Sequence, residues 1–370
     1  MPDRPRMAML GGGPGSFIGG IHHLGAQMAG VDLVAGVFSS DPDKSRMAAR
    51  DYGVAPERCY PDAQTMFAAE AQRGDGIGMV AIATPNHLHL PAALMAIEAG
   101  VHIICDKPAT TTLAQALTLR DALARGNSTY ALTFTYSAYP MVREAEARIA
   151  AGEIGSIRKV MASFAQGGLA RAQASAGWRA DPALGGIGGC IADLGTHAFH
   201  LAEFVTGQTV TGVLADLAGH GGRVLDDDGS VLLRFADGAR GLIHASQIAF
   251  GQRSALSLDV YGEEGALHWD FESADHLRLV RGGETLLLGP TSTDLLVRVP
   301  GMRGIGNGLV APFATLYREF AAACAGQAGL LDVTLPGITA GLRSMAFVES
   351  AVESSARGGC WTAMNIGEQA

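Results

Sequence analysis

Short apolar runs alternate with helical patterns along about the first 130 residues of the chain. All but the last of these runs are followed by turn-forming Gly, Ser, Pro, Asn or Asp residues, which favour turns and helix starts. The predicted strands are residues 7–10, 33–38, 79–83, 101–105 and 131–134. Helical patterns fill the gaps between them, notably at 62–73, 90–99 and 112–125. Such alternation implies parallel strands joined by right-handed crossovers, a doubly wound α/β arrangement.

The pattern changes beyond a boundary near residues 130–136. A helix at 140–151 and a strand at 156–164 precede an irregular stretch at 166–182 that is rich in Gly, Ala and Ser. A helix from about 188 to 205 follows it. The next predicted strands are 209–217, 230–235, 239–247, 255–261 and 266–270. Consecutive strands joined by short turns predict an antiparallel or mixed sheet.

Two helices, 312–325 and 336–356, close the chain. We therefore divide the sequence into domains 1–134 and 135–370, with the option that the final helices pack back on the first domain. The length of 370 residues suits two domains better than one core.

Composition narrows the functional classes. The chain is 48% hydrophobic and 17% charged, which excludes a disordered protein, and its net charge of -9 argues against binding nucleic acid. No apolar run has the length of a membrane span, and residues 1–10 lack the apolar core of a secretory signal. The five cysteines are widely spaced and form no CxxC pair, which favours a reducing compartment. We expect a cytoplasmic protein with no membrane partner.

Glycine is in excess, at 50 residues, and clusters where the first strand meets a helix. Residues 11–19 have the sequence GGGPGSFIG. Glycines at such a turn let backbone amides approach a pyrophosphate at the helix N-terminus. The spacing departs from GxGxxG, because Gly11 and Gly13 fit but position 16 is Ser, as if about three residues were inserted. The context nevertheless predicts a dinucleotide site.

The end of the second strand leaves the choice between NAD and NADP open. An acidic residue commonly binds the ribose there, but Ser39 and Ser40 occupy the place. Asp41 could still reach the ribose or could start the next helix. Alternatively, the serines with Lys44 or Arg46 could accept a 2'-phosphate.

Three motifs occur in a fixed order: TPNHLH at 84–89, CDKP at 105–108 and GGCIADLGTH at 188–197. In this combination the chain resembles the Gfo/Idh/MocA family of oxidoreductases over essentially its whole length. The Glu-Lys-Pro usual in that family is Asp106-Lys107-Pro108 here. His200 stands where relatives often have an acidic residue. These departures and the lengthened first loop bear on substrate identity more than on reaction type.

The resemblance implies an N-terminal Rossmann domain and a C-terminal α+β domain with a large, mostly antiparallel open sheet. It also implies a nicotinamide and a sugar, sugar derivative or cyclitol that meet between the domains, and a homodimer or homotetramer built through the C-terminal sheet. The cofactor-binding candidates are Gly11, Gly13, Pro14, Gly15, Ser16, Phe17, Ile18, Ser39, Ser40, Lys44, Thr84, Pro85, Asn86, His89, Asp106, Lys107 and Pro108.

Oxidation of a secondary alcohol needs a base for the hydroxyl proton and a hydride acceptor above the carbon. Histidine transfers protons near neutral pH, and Asp193 and His197 share a helix face because they are four residues apart. Lys107 follows a parallel strand at its carboxyl end, where ligands of such sheets bind. We interpret His197 as the acid/base, Lys107 as the electrostatic partner and Asp193 as the residue that orients substrate hydroxyls or Lys107.

Tyr136, Trp178 and Arg179 are further candidates for contact with substrate, since an indole face suits a sugar ring; each could equally be packing. Cys105 and Cys190 are expected to be small buried residues rather than nucleophiles.

Three alternative functions remain open. One is a glycoside-cleaving enzyme that oxidises a sugar carbon transiently and eliminates a neighbouring bond. A metal enzyme is another, because Asp193, His197 and His200 share a helix face; with no further ligand motif, we expect no metal. The last is a cofactor-binding sensor, against which the intact Lys107, Asp193 and His197 argue.

Overall fold

The computed structural model describes residues 4–171, 173–175, 177–289, 308–326, 328–331 and 333–367. By their contacts these residues form two compact units. The described residues of the first unit fall within 4–110, 114–135 and 308–342, and those of the second within 111–113, 136–289 and 343–367. Residues 308–342, which the sequence-based boundary leaves in the second domain, thus have most of their contacts in the first unit.

A five-stranded parallel sheet forms the centre of the first unit. Its strands are β1 (Arg6–Gly11), β2 (Asp32–Val37), β3 (Met79–Ala83), β4 (His102–Cys105) and β5 (Tyr130–Leu132). The spatial order is β2-β1-β3-β4-β5, so the winding direction changes between β1 and β3. Ligands of open α/β sheets bind at such a switch point, beyond the carboxyl ends of the strands. The predicted doubly wound Rossmann sheet is confirmed.

The helices of this unit that connect the strands are α1 (Phe17–Ala29), α2 (Pro42–Asp51), α3 (Ala63–Ala71), α4 (His89–Glu98) and α5 (Leu113–Arg125). Each of the five residues of β3 is buried, as expected for a central strand with helices on both faces.

Helix α9 (Val310–Cys324) packs on α1. A Cβ on Gly25 would lie 2.8 Å from the Cβ of Phe313, so glycine allows the two helices to approach closely. The Nδ1 atom of His22 lies 2.7 Å from the Tyr317 hydroxyl, and both side chains are fully buried. Burial lowers the pKa of His22, which favours the neutral ring.

A nine-stranded sheet forms the centre of the second unit. Its strands are β6 (Ile157–Ala165), β7 (Val210–Ala218), β8 (Asp228–Phe235), β9 (Arg240–Ser246), β10 (Ala255–Gly262), β11 (Gly265–Asp270), β12 (Leu277–Arg281), β13 (Glu284–Leu288) and β14 (Thr362–Ala363). The order is β13-β12-β11-β10-β6-β9-β8-β7-β14, and among the described strands of this sheet only β6 and β9 pair in parallel. The predicted large, mostly antiparallel sheet is confirmed.

Helices of the second unit are α6 (Pro140–Ala150), the short α7 (Pro182–Gly185) and α8 (Thr196–Thr206), and α10 (Ile338–Ala356) runs from the first unit into the second at residue 343. Both α6 and α8 pack on one face of the sheet. On β8 every second side chain is buried, as expected for a strand with one covered face.

Two expectations need correction. The sequence analysis missed β12, β13 and β14. It also took residues 188–205 as one α-helix, whereas Ile191–Gly195 form a π-helix that continues into α8. Such π segments inside helices often occur at functional sites.

Candidate functional site

The glycine-rich turn between β1 and α1 requires glycine for its own backbone. Gly11, Gly12 and Gly15 have φ values of 88°, 79° and 86°, which side-chain-bearing residues rarely adopt. A Cβ on Gly11 would lie 2.4 Å from the Ala83 carbonyl oxygen. One on Gly13 would lie 2.6 Å from the carbonyl oxygen of Phe38. The turn therefore lies directly against the carboxyl ends of β3 and β2.

The N-terminus of α1 follows this turn. Ser16 is its N-cap, and its hydroxyl accepts a hydrogen bond from the Gly19 amide at 3.3 Å. Pro14 and Gly15 are exposed, Ile18 is half-buried, and the Phe17 side chain is 71% exposed. An open glycine turn at the positive end of a 13-residue helix fits a pyrophosphate.

A carboxylate does follow β2. It belongs to Asp41, two residues after Ser39, where an acidic residue would commonly stand. The Asp41 Oδ1 atom accepts the amides of Asp43 and Lys44, at 2.9 and 3.1 Å, and so caps α2. These hydrogen bonds, that from the Lys44 amide first, lower the pKa of Asp41 and keep it ionised. Ser39 accepts the Asp41 amide at 3.1 Å, whereas Ser40 and the Lys44 side chain are exposed. Of the two roles considered for Asp41, capping the helix is observed, and its Oδ2 atom accepts neither of these amides.

The loops that follow β3 and β4 are tied together by His89. Its Nε2 atom lies 2.8 Å from the Thr84 carbonyl oxygen, and its Nδ1 atom lies 2.7 Å from the carbonyl oxygen of Pro108. The side chain is 1% exposed, and burial lowers its pKa. A neutral ring has one N–H, so in that form it donates to one of the two carbonyls. His89 therefore lies beneath the loops that carry Asn86 and Lys107.

The remaining candidates of the first unit lie at the same edge of its sheet. Thr84, Pro85, Asn86, Asp106 and Lys107 are all half-buried. The Thr133 hydroxyl donates to Asp106 Oδ1 at 2.5 Å, which fixes the residue before Lys107. Pro108 is buried. The strand order thus brings the 84–86 and 106–108 loops beside the glycine turn.

In the second unit, one face of the 191–200 segment is open. Asp193, His197 and His200 are half-buried, whereas the other seven residues of this segment are buried. The spacing of four between Asp193 and His197 therefore places both on the accessible side, as the sequence predicted. Although part of its surface is accessible, burial of the ring lowers the pKa of His200 to about 3. His200 is neutral near pH 7 and stacks on Phe204.

Aromatic rings surround His197. The ring of Tyr136 meets it edge-on with centroids 4.9 Å apart, and Phe164 lies at 5.9 Å. Burial, and then the nearby charge of Asp193, raise the pKa of Tyr136. Tyr136 therefore stays a neutral phenol beside the imidazole.

Two side chains orient Asp193. The amide of Gln247 donates to Asp193 Oδ2 at 3.0 Å. The Nε atom of Arg179 lies 4.0 Å from Asp193 Oδ1. The Arg179 guanidinium also stacks on Trp178 at 4.4 Å, so the structure brings Trp178, Arg179 and Asp193 together. The sequence analysis missed Gln247, which lies just beyond the end of β9; its position there was the available signal.

The glycines before this helix lie close to the protein's own backbone. A Cβ on Gly189 would lie 1.9 Å from the Asp226 carbonyl oxygen. Gly186 has a φ of 102°, and its Cβ would lie 3.0 Å from the Thr111 carbonyl oxygen.

The cysteines named by the sequence analysis are buried, as expected, and burial raises the pKa of Cys105 and of Cys190, so both thiols stay protonated. Within the described ranges, no cluster of three His, Cys, Asp or Glu side chains is arranged to hold a metal ion. In the same part of the chain, no helix is long and apolar enough to cross a bilayer.

Comparison with known proteins decides the family. Residues 6–134 match the family described as "Oxidoreductase family, NAD-binding Rossmann fold", and residues 142–268 match "GFO/IDH/MocA C-terminal domain". The chain belongs to the Gfo/Idh/MocA family. It is 32% identical to the uncharacterized oxidoreductase YfiI of Bacillus subtilis (strain 168), over 96% of both chains.

Solved structures of this family agree. An inositol dehydrogenase homolog from Azotobacter vinelandii, complexed with NAD+, superposes with a TM-score of 0.91 at 33% identity and 98% coverage of both chains. Levoglucosan dehydrogenase of Pseudarthrobacter phenanthrenivorans (strain DSM 18606 / JCM 16027 / LMG 23796 / Sphe3) is 29% identical over 76% of this chain and 86% of its own length.

As a Gfo/Idh/MocA protein, the chain is an enzyme, an NAD(P)-dependent oxidoreductase with a Rossmann domain for the cofactor. Its glycine turn, capped helix and acidic β2 end fit that cofactor. Its relatives include sugar dehydrogenases, so the family, the enzyme class and the cofactor expected from the sequence are all confirmed.

Proposed function

We propose that this oxidoreductase transfers a hydride between NAD and a secondary alcohol of a sugar, sugar derivative or cyclitol. The observation that carries the proposal is that Asp193 and His197 lie together on the accessible face of one helix. Gln247 and Arg179 lie against the Asp193 carboxylate. Alcohol oxidation needs a base of this kind beside groups that orient hydroxyls.

His197 is the acid/base of the proposed reaction. Its ring is enclosed by Tyr136 and Phe164, which limits water around it. In oxidation His197 takes the hydroxyl proton as the C–H bond breaks, and in reduction it returns that proton to the oxygen. NAD, when bound, supplies the hydride acceptor or donor. Asp193 orients substrate hydroxyls.

Lys107 is the electrostatic partner. It stands between Asp106, fixed by Thr133, and the buried Pro108, whose carbonyl lies against His89. A lysine held in this way donates to the reacting oxygen and stabilises its developing negative charge. Because the backbone on both sides of Lys107 is fixed, little ordering is needed when substrate arrives.

Trp178 and Arg179 are the proposed substrate contacts. The indole is half-buried, and its stacked guanidinium extends toward Asp193. An apolar ring face with donors at its edge suits a sugar or cyclitol. Levoglucosan, D-xylose and myo-inositol occur in the names of relatives and are the first compounds to test.

NAD rather than NADP is the proposed cofactor. The ionised Asp41 lies just beyond the end of β2, where a carboxylate accepts the ribose hydroxyls. Its charge repels a 2'-phosphate. Of the two basic residues that could offset this charge, Arg46 is paired with Asp43 at 2.5 Å and Lys44 is exposed.

A homodimer or homotetramer through the large sheet is the proposed assembly. On four neighbouring strands, Leu214, Leu232, Leu242 and Met161 form a cross-strand row, and Leu232 and Met161 are 42% and 37% exposed. A contiguous apolar row of this kind suits an interface. Sedimentation would detect the assembly. The five free cysteines accord with the reducing cytoplasm proposed from the sequence.

Two of the three alternatives of the sequence analysis, glycoside cleavage and a metal enzyme, receive less support. Relatives named by their activity include levoglucosan and D-xylose dehydrogenases and a sugar-nucleotide reductase, which favours net redox chemistry. His200, which a metal site would need, stacks on Phe204.

A double-mutant cycle tests the proposed roles. Lys107→Ala and His197→Ala should each lower kcat/KM by about a hundredfold to ten-thousandfold, while NAD affinity by calorimetry stays nearly intact. Residues that serve the same step are not additive, so the double variant should be hardly worse than the poorer single variant. Full activity in either single variant, or multiplied losses in the double variant, would reject the roles.

A further inference from the structure

The segment 219–227 links β7 to β8 and touches both halves of the proposed substrate site in the second unit. We propose that Asp226 and Arg223 in this segment are positioning residues for the reaction. Asp226 sets the helix that carries Asp193 and His197. Arg223, held by Asp227, sets the stretch that precedes Trp178. The inference rests on the proposed function of those residues.

Asp226 caps the catalytic helix from outside it. Its Oδ1 atom accepts the Gly189 amide at 2.7 Å, and its Oδ2 atom accepts the Ile191 amide at 2.7 Å and the Cys190 thiol at 3.1 Å. The Asp226 carbonyl accepts the Cys190 amide at 2.8 Å. The first amides of a helix have no partners within it, and a carboxylate there is stabilised by the helix dipole.

The π-helix begins at this cap. Asp193 is two residues beyond the second capped amide, and His197 is four residues further. Because Gly189 has no side chain, the Asp226 carbonyl can approach it, as described above. A shift of Asp226 would therefore move the start of the helix and turn both catalytic side chains.

Arg223 holds the other half of the proposed substrate site, the half that contains Trp178 and Arg179. Its Nη2 atom donates to three carbonyl oxygens: that of Leu169 at 3.1 Å, of Arg171 at 2.9 Å and of Ala174 at 3.3 Å. Three carbonyls on one guanidinium nitrogen fix the backbone at Leu169, Arg171 and Ala174, just before the 3-10 helix Gly177–Ala180. That short helix contains Trp178 and Arg179.

Asp227 anchors this guanidinium. Its side chain is 1% exposed, and its Oδ2 atom accepts Arg223 Nη1 at 2.6 Å. Its Oδ1 atom lies 2.8 Å from His220 Nδ1. Although burial alone would raise the pKa of Asp227, the hydrogen bonds from His220 and Arg223 hold it below its ordinary value. The carboxylate that orients Arg223 is therefore charged near neutral pH.

The segment thus has two arms, Asp226 on the one hand and Arg223 with Asp227 on the other. The two arms also meet at Gln247. The Gln247 amide nitrogen of the backbone donates to the Asp227 carbonyl at 2.8 Å, while its side chain donates to Asp193. One loop thus controls the helix start, the carboxylate of Asp193 and the stretch before Trp178. Because the arms act on different groups, their loss should have different kinetic effects.

Steady-state kinetics with the best of myo-inositol, levoglucosan and D-xylose separates the two arms. Asp226→Ala should lower kcat about tenfold or more with little change in KM, because it turns the acid/base. Arg223→Ala should raise KM for the sugar by a similar factor and leave kcat and NAD affinity nearly unchanged. Asp226→Asn and Arg223→Lys keep part of the hydrogen bonding and should fall between. Asp237→Asn and Arg278→Ala, at exposed charges of the same unit, are the controls.

Hydrogen exchange supplies a readout that needs no substrate. Asp226→Asn should speed exchange at the amides of 189–197 selectively, and Arg223→Lys should do so at Gly177–Ala180. These conservative variants carry the test if either alanine variant fails to fold. Control-like exchange in both, or equal loosening of both regions in each variant, would overturn the inference.

The outcome is kept distinct from that of the proposed function by measuring His197→Ala in parallel. If His197→Ala is inactive while the Asp226 and Arg223 variants behave like the controls, the positioning roles are wrong and the proposed function stands. If His197→Ala turns over like the unaltered enzyme, the proposed function is wrong.

Discussion

The side-chain amide of Gln247 donates a hydrogen bond to Asp193 Oδ2 at 3.0 Å. Gln247 follows the end of β9, and Asp193 lies in the π-helix before α8. The contact fixes the direction of a carboxylate on the accessible face of the helix. It also connects the large sheet to the site, since β9 pairs with β6 and β8.

Removal of this contact should therefore impair turnover. A hydrogen bond to a charged group contributes about 1.5–3 kcal/mol, so Gln247→Ala should lower kcat/KM by roughly tenfold to a hundredfold. NAD affinity should not change. Gln208→Ala is a matched control outside the site, and a Gln247→Ala enzyme as active as this control would contradict the role of the contact.

The conformation of the glycine-rich turn predicts that alanine at Gly11 and alanine at Gly20, both in the first unit, have different effects on NAD binding. Gly11→Ala places a Cβ 2.4 Å from the Ala83 carbonyl at a φ of 88°, so it should displace the turn and weaken NAD binding at least tenfold. Gly20 lies in α1 with nothing within 4 Å of a Cβ. Gly20→Ala should preserve NAD binding and raise stability by about 0.5–1 kcal/mol. Calorimetric NAD titration and urea unfolding of both variants check this, and equal NAD affinity in the two would be the contrary result.

The negative charge of Asp41 predicts that the enzyme binds NAD more tightly than NADP. Asp41→Asn keeps a capping oxygen for α2 and removes the charge. The ratio of NADP to NAD dissociation constants, above one in the unaltered enzyme, should fall about tenfold. Asp51→Asn, an exposed change at the other end of the same helix, should leave the ratio unchanged. An unaltered enzyme that binds NADP more tightly would show that the β2 end has been misinterpreted.

The lowered pKa of the buried His22 predicts how the free energy of unfolding depends on pH. Burial lowers its pKa in the folded state, so the unfolded chain binds a proton more readily. Stability is therefore lost as the pH falls below about 6.5, the ordinary value for histidine. His22→Gln should reduce the slope of unfolding free energy against pH by up to about 1.4 kcal/mol per pH unit. Urea unfolding between pH 7 and more acidic values measures it. An unchanged slope would mean that His22 is not a buried neutral group.

Much of the fold followed from local patterns. The five parallel strands were predictable because the apolar runs alternate with helical patterns and four of them end in turn residues. Asp193 and His197 were predictable because their spacing matches a helix face. The hairpin of β12 and β13 also had a signal: Gly282 and Gly283, with φ values of 59° and 82°, join two alternating runs, as in a type I′ turn. That signal was overlooked.

Other features depend on tertiary contacts that no local pattern carries. Asp226 reaches Gly189 across 37 positions of the chain, and Gln247 reaches Asp193 across 54. Strand β14 has only two residues and exists through its pairing with β7. The sequence likewise does not show that Gly189 lies against the Asp226 carbonyl, because that contact joins distant positions.

Production of NADH by the purified enzyme, with myo-inositol, levoglucosan and D-xylose among a panel of sugars and cyclitols, tests the central claim most directly. The account predicts net, stoichiometric NADH formation with at least one compound, and its near abolition in His197→Ala. Glycoside cleavage without net NADH, or undiminished NADH formation by His197→Ala, would contradict it.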